Sequence, residues 1–268
     1  MTDKSDYIEE IPDSSAPLFS IITVTYNAEK TVGRTLESVR SQSCKLFEYL
    51  IIDGDSRDRT LEICRRGHTD RERISSAPDK GIYDAMNKGI LLSKGKYLIF
   101  MNAGDKFHDS ETLQLIANTI LANNYPGVVY GQTDIVGDDG RKVADRHLTA
   151  PRHLTLASFA YGMTVCHQSF ITLRRIAGLY NLKYRYSADY EWCIRVLQHS
   201  RCNVLIDRPL TDYLAEGTTT GNRMASLRER FRIMSYYYGF LPTLWRHILF
   251  IPRFLRRRRQ EKEFLNRH

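Results

Sequence analysis

No stretch of the chain approaches the roughly 20 consecutive apolar residues that a bilayer-spanning helix requires, so no integral membrane span is expected. Cysteine is sparse. There are five residues, Cys44, Cys64, Cys166, Cys193 and Cys202, an odd number with no CxxC pair. A disulfide framework and a structural zinc site are thereby disfavoured, and reduced thiols in a cytosolic setting are expected. The glycine fingerprints GxGxxG and GxxxxGK[ST] are missing from the strand-to-helix turns, which disfavours a dinucleotide-binding dehydrogenase and a phosphate-loop enzyme. A secretory leader is not expected either, because Met1 to Pro17 is acidic and polar. Residues 1–16 read as a disordered lead-in. With no internal repeat and no low-complexity linker, one globular unit with a C-terminal extension is favoured.

What is present suits a soluble α/β protein. The 268 residues are 42% hydrophobic and 26% charged, enough to bury a sizeable core. The formal charge of +8 is unevenly spread. Residues 1–16 carry −4 and residues 253–268 carry +5, leaving about +7 on the body between them. Such a balance favours anionic partners such as nucleotides, phosphates or acidic lipid heads.

The first 105 residues alternate between strand and helix patterns. Leu18 to Tyr26 is a β-branched and aromatic run. Glu29 to Gln42 reads as an amphipathic helix with Val32, Leu36 and Val39 inward. Phe47 to Ile52 is a second buried strand, ending at Asp53-Gly54-Asp55-Ser56, and Asp58 to Arg66 a second helix. After a short strand near Ile74 come a helix from Tyr83 to Leu92, a left-handed C-cap at Gly95, and the strand Tyr97 to Met101. That order predicts an α/β fold, a mostly parallel sheet flanked by helices. In such sheets ligands bind beyond the carboxyl ends of the strands. The acids of IIDGDS and FMNAGD, Asp53 and Asp105, fall there.

Farther along, Ser110 to Asn123 reads as a helix and Gly127 to Tyr130 as a strand. A hairpin turn at Asp138–Arg141 joins Thr133–Val136 to Lys142–Ala144. Met163 to Leu173 reads as strand-like, Tyr186 to Gln198 as a helix, and Asn203–Leu205 and Leu210–Leu214 as two short strands.

In this order, SIITVTYNAEKTVGRTLESVRSQ, LIIDGDSRDRT, DKGIYDAMNKGILLSKGKYLIFMNAGD and SADYEW resemble the family 2 inverting glycosyltransferases of GT-A fold. IDG, KGIYDAMNKG, NAGDKFH, CHQ and SADY are most similar to the bacterial exopolysaccharide and colanic-acid type. The likeness spans about residues 18 to 220, which implies a Rossmann-like mixed sheet over residues 17–222 and a helical extension over 223–268. It also implies a nucleotide-sugar donor lying across the first strand ends. Thr25, Tyr26 and Asn27 match the first-strand motif, and Asp53 the acid that contacts base or ribose. A carboxylate there can accept from a base N–H or a ribose hydroxyl. The bland alternative for Asp53 and Asp55 is turn formation, favoured for Asp55.

Asn102 to Asp105 matches the family's metal motif, which implies that Asp105 holds a divalent ion, Mg²⁺ or Mn²⁺, against the diphosphate. Asn102 and Gly104 stand where many relatives carry Asp. Asp84 and Asn87 lie one helical turn apart and can address one ligand, the donor sugar and diphosphate, or form an exposed face. Lys80 could neutralise phosphate or simply be solvated. Asp189 matches the general base that deprotonates the acceptor hydroxyl, with Glu191 as a backup; the alternative for both is helix N-terminal charge. His167 and Gln168 either contact the donor or are structural. Glu216–Thr220 resembles a loop closing over the product phosphates.

Tyr236 to Arg259 combines aromatics, Leu/Ile and the cluster Arg256–Arg259, a composition suited to an anionic membrane surface. A packed helix with a solvated basic end is the rival reading, and nucleic-acid binding is not expected. The family context adds a saccharide or polyprenyl-linked saccharide acceptor, and a cytoplasmic protein peripheral to the inner face of the cytoplasmic membrane. Two other functions fit these residues less well. A nucleotidyltransferase would want a Gly/Arg/Lys-rich loop after the first strand, where Thr25-Tyr26-Asn27-Ala28 stands. A non-catalytic membrane-surface binding protein would leave three separated acidic motifs to coincidence.

Overall fold

A computed structural model describes residues 16–146, 148–215 and 223–248. Four parallel strands open the sheet: β1 (Phe19–Thr25), β2 (Phe47–Asp53), β3 (Glu72–Ser76) and β4 (Tyr97–Phe100). Between them run α1 (Val32–Arg40), α2 (Thr60–Arg65) and α3 (Ile82–Leu92). The second half adds β5 (Lys106–Phe107), α4 (Thr112–Ala122), β6 (Val128–Val136), β7 (Lys142–Asp145), β8 (Phe170–Leu173), α5 (Arg174–Ala177), α6 (Ala188–His199), β9 (Asn203–Leu214) and α7 (Arg223–Tyr238). The sheet order is β3-β2-β1-β4-β8-β6-β9-β5, with β7 paired to β6. Strand β8 is antiparallel to both β4 and β6, so the sheet is mixed.

Alternate residues of the central strands supply two cores, one on each face. Ile22, Val24, Leu50, Ile52, Leu98 and Phe100 pack with Met86 of α3 and Trp192 of α6. Phe19, Ile21, Tyr49, Ile51, Tyr97 and Ile99 pack with Leu36 of α1 and Ile116 of α4. Coverage on both faces is why these strands read as nearly unbroken apolar runs. Helix α7 adds Ile233 and Met234 to the first core, while Met224, Leu227 and Tyr236 stay exposed. Among the described residues, no helix is long and apolar enough to cross a membrane.

Three local expectations are corrected. Gly95 does not take a left-handed conformation. A Cβ there would stand 2.4 Å from the backbone of Phe19 and Ser20, so its role is the close approach of the α3–β4 turn to β1. Only Phe170–Leu173 of the region 163–173 is strand; residues His167–Ser169 form a 3₁₀ turn. The two short strands near 203 and 214 are one, β9. Register shifts around Gln132 opposite Pro209 absorb the residue that cannot donate to the ladder. The expected loop at 216–220 and the basic cluster at 256–259 lie outside the described residues.

Candidate active site

The carboxyl ends of β1, β2 and β4 define one edge of the parallel half, with Thr25 in register with Asp53. Asn27 sits at φ 47°, a conformation asparagine tolerates, and links the first two turns. Its Oδ1 accepts from the Arg57 N–H at 2.9 Å, and its own N–H donates to Ser56 Oγ at 2.9 Å. Tyr26 is 61% exposed at this edge. Thr25 is buried, and its Oγ1 has no partner.

Asp53 is only 1% exposed. Its carboxylate accepts from the Ser56 N–H at 3.0 Å, the Ser56 hydroxyl, and the Ser76 hydroxyl at 2.7 Å. In this structure the side chain organises the turn. The carboxylate that stands out over that turn is Asp79, which the sequence reading did not single out. A Cβ on Gly54 would meet Asp79 Oδ2 at 2.5 Å and Tyr26 Cδ2 at 3.3 Å, so the absence of a side chain at Gly54 leaves room for both.

Helix α3 separates Asp84 from Asn87. Asp84 Oδ2 accepts the Lys80 N–H at 3.0 Å, closing the turn that leads into the helix. Asn87 is buried and faces the core. Its Nδ2 donates to the Tyr180 carbonyl at 3.0 Å and its Oδ1 accepts the Tyr180 N–H at 2.7 Å. Both amide ends are thus engaged by backbone, which corrects the expectation that Asn87 and Asp84 address one ligand. Tyr180 in turn stacks between Tyr83, at 5.5 Å, and Trp192, at 4.9 Å.

Because β8 runs antiparallel to β4, its beginning lies beside the end of β4. This brings His167 and Gln168 to the Asn102–Asp105 turn from 65 and 63 residues away. Asn102 Nδ2 meets His167 Nε2 at 3.2 Å, and Asn102 Oδ1 is buried without a partner. With Nε2 accepting, the ring proton sits on Nδ1, which faces Asp189 Oδ2 at 3.6 Å. Burial pushes the His167 pKa down against the opposing pull of Asp189, favouring the neutral ring.

Asp189 lies in the first turn of α6. Its Oδ1 accepts the Tyr83 hydroxyl at 3.0 Å and the Tyr190 N–H at 2.8 Å. Burial, followed by the Asp189 charge, holds the Tyr83 phenol far above its usual range, so it remains a donor. Tyr83 is the second residue that sequence reasoning missed. It sits inside KGIYDAMNKG, but its partner is 106 residues away.

Asp105 is nearly inaccessible. Gln168 Nε2 donates to its Oδ2 at 2.6 Å and the Leu214 N–H to its Oδ1 at 3.3 Å. Burial outweighs these donors and the Arg34 charge, and pushes the carboxyl up to about 7. Gly104 has φ 105°, where a side chain is strained, which accounts physically for the absence of an acid at that motif position. The donor set fits a hard, oxygen-seeking cation: an orphaned Asn102 Oδ1, and a buried carboxyl whose two hydrogen-bond donors and the Arg34 charge do not offset its burial.

A second cluster was not foreseen. His108, Asp134 and Asp212 place their ligand atoms within 4.8 Å of one another. Lys106 bonds Asp212 at 3.0 Å and Lys142 bonds Asp134 at 2.8 Å, so two cations already balance the two carboxylates. The arrangement is an ion-pair network joining β5, β6 and β9.

Comparison with known proteins gives a consistent result. Residues 20–177 match the family model for Glycosyl transferase family 2. A PGL/p-HBAD biosynthesis glycosyltransferase of Mycobacterium bovis is 32% identical over 187 residues, covering 68% of this chain and 70% of that protein. The amylovoran biosynthesis glycosyltransferase AmsB of Erwinia amylovora is 27% identical over 207 residues, covering 73% and 69%. Among solved structures, S. aureus TarS 1–349 in complex with UDP-GlcNAc superposes with a TM-score of 0.64 at 20% identity, covering 82% of this chain and 66% of that one. The mannosyltransferase PcManGT of Pyrobaculum calidifontis, in complex with GDP-Man and Mn²⁺, superposes with a TM-score of 0.59 at 13% identity, covering 88% and 76%. These likenesses identify the sheet as the GT-A architecture.

Proposed function

The chain belongs to glycosyl transferase family 2, and from that premise we propose that it moves a sugar, with inversion, from a UDP-sugar to a saccharide hydroxyl. The observation that carries this reading is the convergence of Asn102, His167, Asp189 and Tyr83, four residues from separate elements, into one cluster beside the ends of β1 and β4, with His167 Nδ1 facing Asp189 Oδ2 at 3.6 Å. A non-catalytic binding protein has no need of a half-buried carboxylate held by a permanent donor and a neutral imidazole.

Each residue has a chemical task. The nucleoside lies along Thr25, Tyr26 and the Gly54 notch, where Tyr26 offers an exposed ring and Asp79 a carboxylate for a base N–H or ribose hydroxyl. Asn102 and Asp105 would hold a divalent cation, Mg²⁺ or Mn²⁺, with Gln168 orienting the Asp105 carboxylate. When bound, that ion neutralises charge on the diphosphate leaving group. Asp189 Oδ2 takes the proton from the acceptor hydroxyl as its oxygen bonds to the anomeric carbon and the bond to phosphate breaks, the electron pair leaving with the diphosphate. Tyr83 and the Tyr190 N–H fix the other carboxylate oxygen, so the proton is received on Oδ2. His167 faces that oxygen through Nδ1 and holds Asn102 in place through Nε2.

The acceptor is a lipid-linked saccharide in exopolysaccharide or envelope glycan synthesis, met at the inner face of the cytoplasmic membrane. Exposed Phe240, Leu241 and Trp245 in helical residues 240–248, just before the basic C-terminus, support that setting. A calorimetric titration of UDP, GDP and ADP, with and without Mn²⁺, tests the donor assignment. Metal-dependent binding of UDP by the wild type and its loss in Asp105→Asn is expected. No binding of any nucleotide by a folded sample would refute it.

A further inference from the structure

Helix α7 lays Ser226, Arg230, Ile233 and Met234 along one face at helical spacing, and that face packs on the core containing Trp192. Ser226 ties it to the start of α6, its hydroxyl 3.2 Å from that of Ser187. Arg230, one turn farther on, therefore lies against the first turn of α6, its guanidinium carbon 6.0 Å from the centre of the Tyr190 ring. Tyr190 directly follows the base, Asp189. A second cation arrives from the helical residues 240–248. The guanidinium carbon of Arg246 lies 5.3 Å from the centre of the Tyr161 ring.

Both guanidinium groups are incompletely satisfied. Arg230 Nε and Arg246 Nη1 are buried, and neither has a hydrogen-bond partner. The acids beside them in the chain and on α6 are engaged elsewhere. Glu229 accepts the Arg185 and Tyr186 N–H groups, each at 2.8 Å, and Glu191 is held by Arg195 and Tyr237. A ring face attracts a cation but supplies no lone pair to its N–H groups. The two charges reach the phenols around the base. Burial and then the Asp189 charge raise the Tyr83 pKa, and Arg230 opposes them. Burial and Tyr238 raise that of Tyr190, and both Arg230 and Arg246 oppose them.

We propose that Arg230 and Arg246 bind a phosphate group carried by the acceptor, so that a phosphorylated or diphosphate-linked saccharide is seated with its free hydroxyl at Asp189. This deepens the reading of Asp189 as the base and rests on it. Planar guanidinium donors match phosphate oxygens two at a time. Their buried N–H groups stay unpaired until a ligand supplies the acceptor, which places the gain in binding on the ligand's oxygens. A phosphate monoester or a diphosphate brings about two negative charges, enough for both cations, whereas a sugar carboxylate brings one. Tyr161, 56% exposed beside Arg246, adds an open aromatic face for the group esterified to the phosphate. That group is a lipid chain or a soluble sugar.

Calorimetry on the full-length protein in EDTA, which idles the metal-dependent donor site, compares farnesyl diphosphate, farnesol and glucose 1-phosphate. Binding of farnesyl diphosphate alone supports a lipid-linked acceptor, and binding of glucose 1-phosphate supports a soluble one. In either case Arg230→Gln/Arg246→Gln is expected to weaken the ester about tenfold or more, while UDP binding with Mn²⁺ is unchanged. The Asp105→Asn protein should bind the ester as the wild type does. Farnesol binding as tightly as its diphosphate, no binding of either ester, or equal ester affinity in the wild type and the double variant overturns the proposal. The farnesol comparison needs no substitution, so it decides even where the double variant does not fold. Loss of UDP binding by the wild type would instead strike the donor assignment, a separate readout.

Discussion

Replacing Asn87 by Ala separates the role the structure gives this side chain from the ligand-binding role its helical spacing implies. The variant removes one donor and one acceptor from the backbone of Tyr180, a buried residue 93 positions away. An unsatisfied buried group costs about 1–3 kcal/mol, so the two together set a loss of about 2–6 kcal/mol. That is a large share of the 5–15 kcal/mol typical of a folded domain. Urea denaturation followed by circular dichroism reads the loss as a lower midpoint at unchanged slope. UDP affinity, measured under conditions where the variant is folded, should stay within about threefold of wild type, since a change of a few tenths of a kcal/mol is all that remote packing needs to transmit. Asn87→Asp provides a second arm. An ionised carboxylate can accept the Tyr180 N–H but cannot donate to its carbonyl, and it buries a charge. A protonated carboxyl does both jobs of the amide. Burial raises the folded-state pKa above the unfolded value, so stability is retained at low pH and lost as pH rises through the folded pKa. A variant Asn87→Ala within about 1 kcal/mol of wild type in stability, but with tenfold weaker nucleotide binding, would refute this reasoning and restore the ligand role.

Asp189→Asn should lower kcat by about 10²–10⁴ with nucleotide affinity intact, as removal of a general base does; an unchanged kcat in a sugar-transfer assay removes Asp189 from the mechanism. For Asp105, whose folded pKa of about 7 exceeds its unfolded value, the wild type without metal should lose stability as pH rises from about 4 to 7, by up to about 4 kcal/mol. Asp105→Asn should lack that slope, and identical pH–stability curves for the two proteins would contradict the buried-carboxyl assignment. Gly95→Ala should destabilise the chain by more than about 1 kcal/mol in thermal melts, because its Cβ would stand 2.4 Å from the backbone of β1; an unchanged Tm would show that the α3–β4 turn can move aside.

The amino-acid pattern alone determined the α/β alternation of the first 105 residues. Strands covered on both faces show as short apolar runs such as Tyr97–Phe100, and helices such as α1 show a repeating inward stripe at Val32, Leu36 and Val39. The family motifs named Asn102, Asp105, His167, Gln168 and Asp189 one by one, for separate tasks and with a structural role left open for His167 and Gln168; it is the fold that sets them side by side. Tertiary structure decided the rest, because local periodicity carries no information about partners distant in the chain. Which strand lies beside β4 depends on the antiparallel return of β8, and that pairing alone delivers His167 to Asn102. Tyr83 became the donor to Asp189 and Asn87 the clamp on Tyr180 through contacts spanning 106 and 93 residues. Both sit on α3 at spacings that suit an exposed face, a ligand or a core equally well. Only the packing of α6 and Tyr180 against that helix, driven by burial of Trp192 and Phe100, selected among them.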